Sequence, residues 1–221
     1  MQTHAQPQQA QPFYAERAYD LRAFASLKRY TMQEITAFEV TASHPHRAEV
    51  ETFIHNVFYH AYGANVTQFM PTLIALRDAE FKLMAAFGMR DAANSPLFLE
   101  QYLDEPIEAV ISAQLGVPIQ RGSITEIGNL AVVNPRNSGV LISHVIQHSL
   151  EMGVEWCVAT AHHSLQNGLI KGGRDVYPVH PVDPQRLSPA ELATWGHYYD
   201  NQPQVIAVRG VAPPLYAVTA Y

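Results

Sequence analysis

Hydrophobic and polar positions change period several times along this chain, and each change marks a predicted element. EITAFEV (34–40) alternates like a strand, and His44-Pro45-His46 then makes a turn. From Glu49 onward Val50, Phe53, Ile54, Val57, Phe58 and Ala61 recur at helical spacing and stop at Tyr62-Gly63, a helix-ending pair. FMPTLIALRD (69–78) and FKLMAAFGMRDA (81–92) read as two central strands joined by a tight turn. The stretch 97–116 reads as mainly helical, with Pro106 breaking it and starting a fresh helix. ITEIGNLAVV (124–133) is an apolar strand run carrying a lone Glu and Asn, and PRNSGVLISHVIQHSL (135–150) is a turn that opens an amphipathic helix. WCVATA (156–161) is the next strand, and HSLQNGLIKGG (163–173) a short helix closed by two glycines. After a Pro-rich passage, Ser188-Pro189-Ala190-Glu191 is a capping signal that leads through Trp195-Gly196 to Tyr198-Tyr199. QVIAVRGV (204–211) and PLYAVTAY (214–221) look like an antiparallel pair. A segment around Tyr14–Tyr30 reads as helical, and no internal repeat is evident. Strands interleaved with helices in this order predict one mixed α/β sheet rather than two domains.

Composition narrows the function classes. With 221 residues, 48% hydrophobic and 15% charged, the chain suffices for one sizeable core. A net charge of −6 supplies no basic surplus to displace counterions, so no nucleic-acid partner is expected. The single cysteine, Cys157, rules out an internal disulfide and fits a reducing compartment, so a cytoplasmic location is expected. No apolar run approaches the roughly 20 residues that cross a bilayer, so stable membrane insertion is not expected. The stretch MQTHAQPQQAQP has neither a basic start nor an apolar segment, which is unlike a secretory signal. Residues 1–12 read as a disordered tail and 13–221 as a single domain.

Candidate chemistry centres on the strand, turn and helix of 124–150. A helix N-terminus presents free N–H groups and the positive end of the helix dipole, which suits a phosphate-bearing donor such as an acyl-pantetheine. The element order resembles that of the Gcn5-related N-acetyltransferase fold. That resemblance implies a central strand leading into a turn that binds the donor pyrophosphate, beside a neighbouring strand that splays away to admit the acyl thioester. The family's turn pattern is Gln/Arg-x-x-Gly-x-Gly/Ala. Here Arg136-Asn137-Ser138-Gly139-Val140-Leu141 keeps the Arg and the first Gly, with Leu141 where a small residue is usual. The resemblance thus implies donor contacts at Val132, Arg136, Asn137, Ser138, Gly139 and Val140. It also implies one at Asn167, where the fold often has an Asn on the pantetheine arm. The co-substrate would be acyl-CoA or an acyl carrier protein.

Longer blocks carry a more specific resemblance. FIHNVFYHAYGANV (53–66), FMPTLIALRD, LFLEQYLDEPIE (97–108), ITEIGNLAVV and WGHYYDNQPQVIAV (195–208) together resemble the thermostable hemolysin family over about residues 45–210. That family is named for a hemolytic phenotype, and its fold is grouped with the acetyltransferases. More distantly the chain resembles acyl-homoserine-lactone synthases, which carry Glu-x-x-Arg-Leu-Ala-Val where this chain has Asn129 in place of the Arg.

Glu126 is the first catalytic candidate. A carboxylate in an apolar central strand is costly unless paired or functional, so it either deprotonates an amine or pairs with Arg77, Arg90 or Arg121. Asn129 falls on the opposite face by alternation unless a bulge intervenes, and its amide could hold the donor or orient the acceptor. Glu100, Gln101, Tyr102 and Asp104 cluster in a Leu/Phe-rich segment, as an amine-binding set or a solvated face, with Glu100 and Asp104 on one helical side. The acetyltransferase resemblance also implies a thiol-protonating Tyr on the helix after the splayed strand, but 163–173 contains none, so Tyr198 and Tyr199 are read as substitutes or as packed aromatics. His144 and His148 are expected to face solvent, and without a His-Glu-x-x-His arrangement no metal site is expected at them or at His162-His163. Cys157 reads as a small buried hydrophobe. The expected function is acyl transfer from an acyl thioester to a small amine acceptor, making an acyl amide that is surface-active or signal-like. The alternative is a membrane-acting hemolysin without enzymatic activity. A homodimer is compatible with either.

Overall fold

The computed structural model describes residues 29–210. The tail of 1–12, nearly all of the helix expected around Tyr14–Tyr30, and the run 214–221 lie outside the described residues. The described residues form a seven-stranded sheet in the order β1-β2-β3-β4-β5-β7-β6. Its strands are β1 (Thr36–Val40), β2 (Thr72–Arg77), β3 (Leu83–Asp91), β4 (Ile124–Val132), β5 (Trp156–Ala161), β6 (Val176–Pro181) and β7 (Gln204–Arg209). Every neighbouring pair is antiparallel except β4 and β5.

Period-two alternation splits the strand side chains between two faces. Ile74 and Leu76 of β2, Phe87 and Met89 of β3 and Cys157 and Ala159 of β5 join one core. Helices α3 (Ser138–Glu151) and α4 (His163–Lys171) cover it with Leu141, Ile142, Val145 and Leu169. The opposite face holds Leu73, Ala75 and Ala86 under helix α1 (Arg47–Tyr62), through Val50, Phe53, Ile54 and Phe58. Further along that face Ile124, Trp156 and Val158 pack with Ile107 and Ile111 of helix α2 (Ile107–Leu115). Cys157 is buried in the first core, as expected. A last short helix, α5 (Pro189–Thr194), starts at the expected capping box of Ser188 and Glu191.

Two irregularities position the site. Strand β4 pairs with β5 for only three residues, Ile124–Glu126 opposite Trp156–Val158, and the two then separate. On its other side β4 bulges: Ala131 faces Ala86 and Gly128 faces Gly88, so Asn129 and Leu130 together oppose Phe87. Asn129 takes φ 51°, the left-handed conformation that Asn tolerates better than most residues. A bulge bends its strand and increases the local twist, which helps carry β4 away from β5. Gly88 and Gly128 are glycines because Met70 lies across them. A Cβ added at either would stand 2.5 or 2.4 Å from that side chain.

Several expectations are corrected. The Pro-rich passage contains β6, whose Pro178 and Pro181 are tolerated because β6 is the sheet's edge. Both edges of β7 are taken, by β5 and β6. The segment before Pro106 is a 3-10 turn, Phe98–Tyr102, and not an α-helix. On α3, His144 is buried at 8% exposure while Leu150 is 40% exposed, so the inward face is rotated relative to the one the hydrophobic pattern indicates.

Candidate active site

The separation of β4 from β5 opens a cleft of about 490 Å³ at their carboxyl ends, where open α/β sheets bind ligands. One wall is β4 from Glu126 to Val132, and the other runs from Thr160 at the end of β5 into the first turn of α4. Phe58 and Tyr62 of α1 line it with Phe98, Trp195, Tyr198 and Tyr199. Their rings are mutually packed: Tyr62 and Tyr198 centroids are 5.3 Å apart, as are those of Trp195 and Tyr198. This aromatic lining gives an apolar chamber with a few fixed polar groups, the usual composition of a small-molecule site.

The polar groups differ in how far they are already engaged. Glu126, 2% exposed, accepts hydrogen bonds from the main-chain N–H groups of Phe98 (2.9 Å) and Leu99 (2.9 Å), so its carboxylate ties the 3-10 turn to β4. Arg90 lies 3.8 Å away and is its ionic neighbour, one of the three arginines the sequence offered. Burial pushes the Glu126 carboxyl upward, while the two N–H groups and Arg90 pull it back. Asn129 also lines the cleft, brought there by the bulge, and its Oδ1 accepts from the Met70 N–H at 2.8 Å. Below them the hydroxyls of Tyr102 and Tyr199 pair at 2.5 Å, and burial raises the pKa of both. Tyr198 donates to the Thr160 carbonyl at 3.3 Å.

The end of β5 supplies a group the sequence pattern did not single out for catalysis. His162 caps α4 and lines the cleft half-buried. Its Nδ1 is 2.9 Å from Ser164 Oγ and its Nε2 3.2 Å from the Tyr62 hydroxyl. Desolvation lowers its pKa, so the ring is neutral at pH 7. Tyr62 is held where α1 ends: its carbonyl accepts from His197 N–H at 2.8 Å, and Gly196 (φ 53°) sits so close that a Cβ there would be 2.2 Å from that carbonyl oxygen. The available signal was His162's place as the first residue after a parallel strand, at its carboxyl end. The ring wall comes from three separate segments and leaves no short motif.

The residues of the acidic cluster are not gathered at the cleft. Glu100 forms a two-pronged pair with Arg121 (2.6 and 2.9 Å) and accepts from Leu97 and Ile107 N–H groups, which holds its pKa down at about 2. Gln101 donates to the Phe98 carbonyl, and Asp104 is exposed and paired with Arg186. Glu100 and Asp104 share no helical face because the helix is absent there. Of the four, Tyr102 alone lines the cleft. Of the residues expected to contact the donor, Val132 and Ser138 reach the cleft lining, as does their neighbour Leu141. Arg136 and Gly139 are exposed at the start of α3, Val140 is half-buried beside them, and Asn137 accepts from the Tyr30 N–H at 3.2 Å. Asn167 is exposed on α4 and lies outside the cleft.

A family model described as thermostable hemolysin matches residues 40–212. No curated protein matches the sequence. Among solved structures, the acyl-homoserine-lactone synthase LasI matches with TM-score 0.53 and 10% identity, over 80% of this chain and 91% of its own. FeeM, an N-acyl amino acid synthase from uncultured soil microbes, matches with TM-score 0.51 and 16% identity, over 80% and 91%. BjaI, a CoA-dependent acyl-homoserine lactone synthase solved with SAM and isopentyl-CoA, matches with TM-score 0.53 and 15% identity, over 80% and 84%. At these identities the likeness is one of fold: a mixed sheet of the acyltransferase kind flanked by helices.

Proposed function

Because this chain belongs to the thermostable hemolysin family and shares its fold with acyl-transferring synthases, we propose that it is an acyltransferase. It moves an acyl group from an acyl thioester, on CoA or on an acyl carrier protein, to a small amine. The observation that carries this reading is the separation of β4 from β5 after Glu126, with the cleft it opens. Past that residue the β5-facing edge of β4 has no strand partner among the described residues, so its main-chain N–H and C=O groups can pair with an extended amide-bearing arm such as pantetheine. The donor phosphates lie at the start of α3, beside Arg136, Asn137, Ser138, Gly139 and Val140, where the positive end of the helix dipole and the Arg136 guanidinium favour an anion. The N–H groups of Arg136, Asn137 and Ser138 are already bonded to Asn134 and Pro135. Val132 supports the arm at the same end. The acyl chain occupies the aromatic chamber, and the amine approaches beside Glu126 and Asn129, which fix the wall it meets.

In the reaction the amine nitrogen attacks the thioester carbonyl carbon. A C–N bond forms and the C–S bond breaks; the nitrogen gives up a proton and the thiolate takes one, leaving an amide and a thiol. A surface-active acyl amide would account for a hemolytic phenotype without the protein entering a membrane. No helix among the described residues is long and apolar enough to cross one.

The test is thiol release from purified protein, with acyl-CoA and acyl-carrier-protein donors of increasing chain length offered amino acids and simple amines. Release of thiol matched by acyl amide in the product is the expected result. Lysis of erythrocytes by the pure protein with no thiol released from any donor would overturn the reading in favour of a directly membrane-acting protein.

A further inference from the structure

We propose that His162, acting through the Tyr62 hydroxyl, is the proton acceptor for the incoming amine; this rests on the acyl-transfer reading above. The choice follows from how the polar groups of the cleft are already held. Glu126 is almost wholly buried, and each of its oxygens already accepts a main-chain N–H. Tyr102 and Tyr199 are spent on each other, and Tyr198 on the Thr160 carbonyl. Glu191 accepts from Ser188 in its capping box. His162 remains, half-buried, with both ring nitrogens engaged but with its partner Tyr62 lining the cleft.

Its two contacts set the polarity of a relay. When Nδ1–H donates to Ser164 Oγ, Nε2 is the acceptor, and the Tyr62 O–H donates to it. The phenolic oxygen then keeps its lone pairs for a donor in the cleft. As the C–N bond forms, a proton passes from the amine nitrogen to the Tyr62 oxygen while Tyr62's own proton passes to Nε2. Breakage of the C–S bond releases a thiolate, and the imidazolium returns its proton by the same route, leaving the thiol and the starting enzyme. A lone tyrosine is a poor base, but here no phenolate accumulates. The groups facing the imidazole are Tyr62 from α1, Tyr198 with its ring centroid 6.4 Å away, and His163 and Ser164 on α4. Burial holds the ring neutral, a main-chain hydrogen bond opposes it, and His163 adds to the lowering.

The relay is tested on the full chain with octanoyl-CoA and decanoyl-CoA as donors and the acceptor that releases most thiol. His162→Gln is expected to lower kcat by roughly 100- to 1,000-fold, the usual worth of a positioned base, with KM little changed. Below the ammonium pKa of the acceptor, kcat/KM falls with pH, and the parent falls more steeply once His162 also takes up a proton. That extra steepness should be missing in His162→Gln. Tyr62→Phe keeps the ring stack, removes the relay hydroxyl, and should give an intermediate loss of kcat. Unchanged kcat and an unchanged acid limb in His162→Gln overturn the proposal while leaving acyl transfer standing. Should that variant not fold, Tyr62→Phe decides, since a kcat and profile matching the parent refute the relay. Absence of thiol release by the parent with every donor would overturn acyl transfer itself, and the relay with it.

Discussion

On α3, His144 faces a cavity beside Ile35 and Ala37, and its Nε2 has no hydrogen-bond partner among the described residues. Burial lowers its pKa, opposed in part by Glu151. The unfolded chain takes up a proton at about pH 6.5. Below that pH the unfolded state therefore binds more protons than the folded one, and folding stability falls as pH drops. Urea unfolding at about pH 7.5 and at about pH 5 should show this loss, and His144→Leu should shrink it. An equal loss in both proteins would remove His144 as the cause. His144 also shows what the pattern could not resolve. Leu150 and His144 each border the helix's apolar arc, and the hydrophobic ranking alone turns Leu150 inward. The actual face is set by what lies across it, the segment Met32–Ala37, whose position is a tertiary fact. Glu126 teaches the same lesson in another form. Its burial and the choice of arginines were readable, but its main partners, the main-chain N–H groups of Phe98 and Leu99, leave no mark in residue identity.

Among elements, the ones with strong periodicity or caps were legible: α1 with Gly63 behind it, β2 and β3, α2 after Pro106, and α5 behind Ser188. Strand β6 was not, because Pro178 and Pro181 argue against a strand unless it is known to be an edge. The dense apolar residues of Phe98–Tyr102 suggest a helix, whereas Glu126 and the Glu100–Arg121 pair hold the segment in the tighter 3-10 form. The junction of α1 with the segment after α5 carries a prediction at this scale. Gly196 lies against the last carbonyl of α1 with φ 53°, so any Cβ is both strained and obstructed by backbone. Gly196→Ala should cost roughly 1–3 kcal/mol by denaturant unfolding. It should also displace Tyr62 from His162, so that acyl transfer falls more than stability explains. A variant as stable as the parent would show that the junction yields easily.

For the whole molecule, the mixed sheet and its family were readable from blocks spread along the chain, and the cleft's position followed from one strand leaving its neighbour. What lines the cleft was not readable, because α1, the Phe98 turn, the start of α4 and the residues after α5 converge only in the folded chain. That convergence gives the protein its own optical probe. It has two tryptophans: Trp156, 4% exposed in the core between β5 and its helices, and Trp195, in the ring wall within 6.2 Å of Phe58 and Tyr199. In a Trp156→Phe chain, all indole emission would come from the cleft. Titration with a long-chain acyl-CoA should then change its intensity and wavelength in a saturable way, even where no acceptor is present and no turnover occurs. A flat emission signal, under conditions where calorimetry records binding, would place the acyl chain away from Trp195. Occupancy of the chamber can thus be followed by light alone, before the acceptor is known.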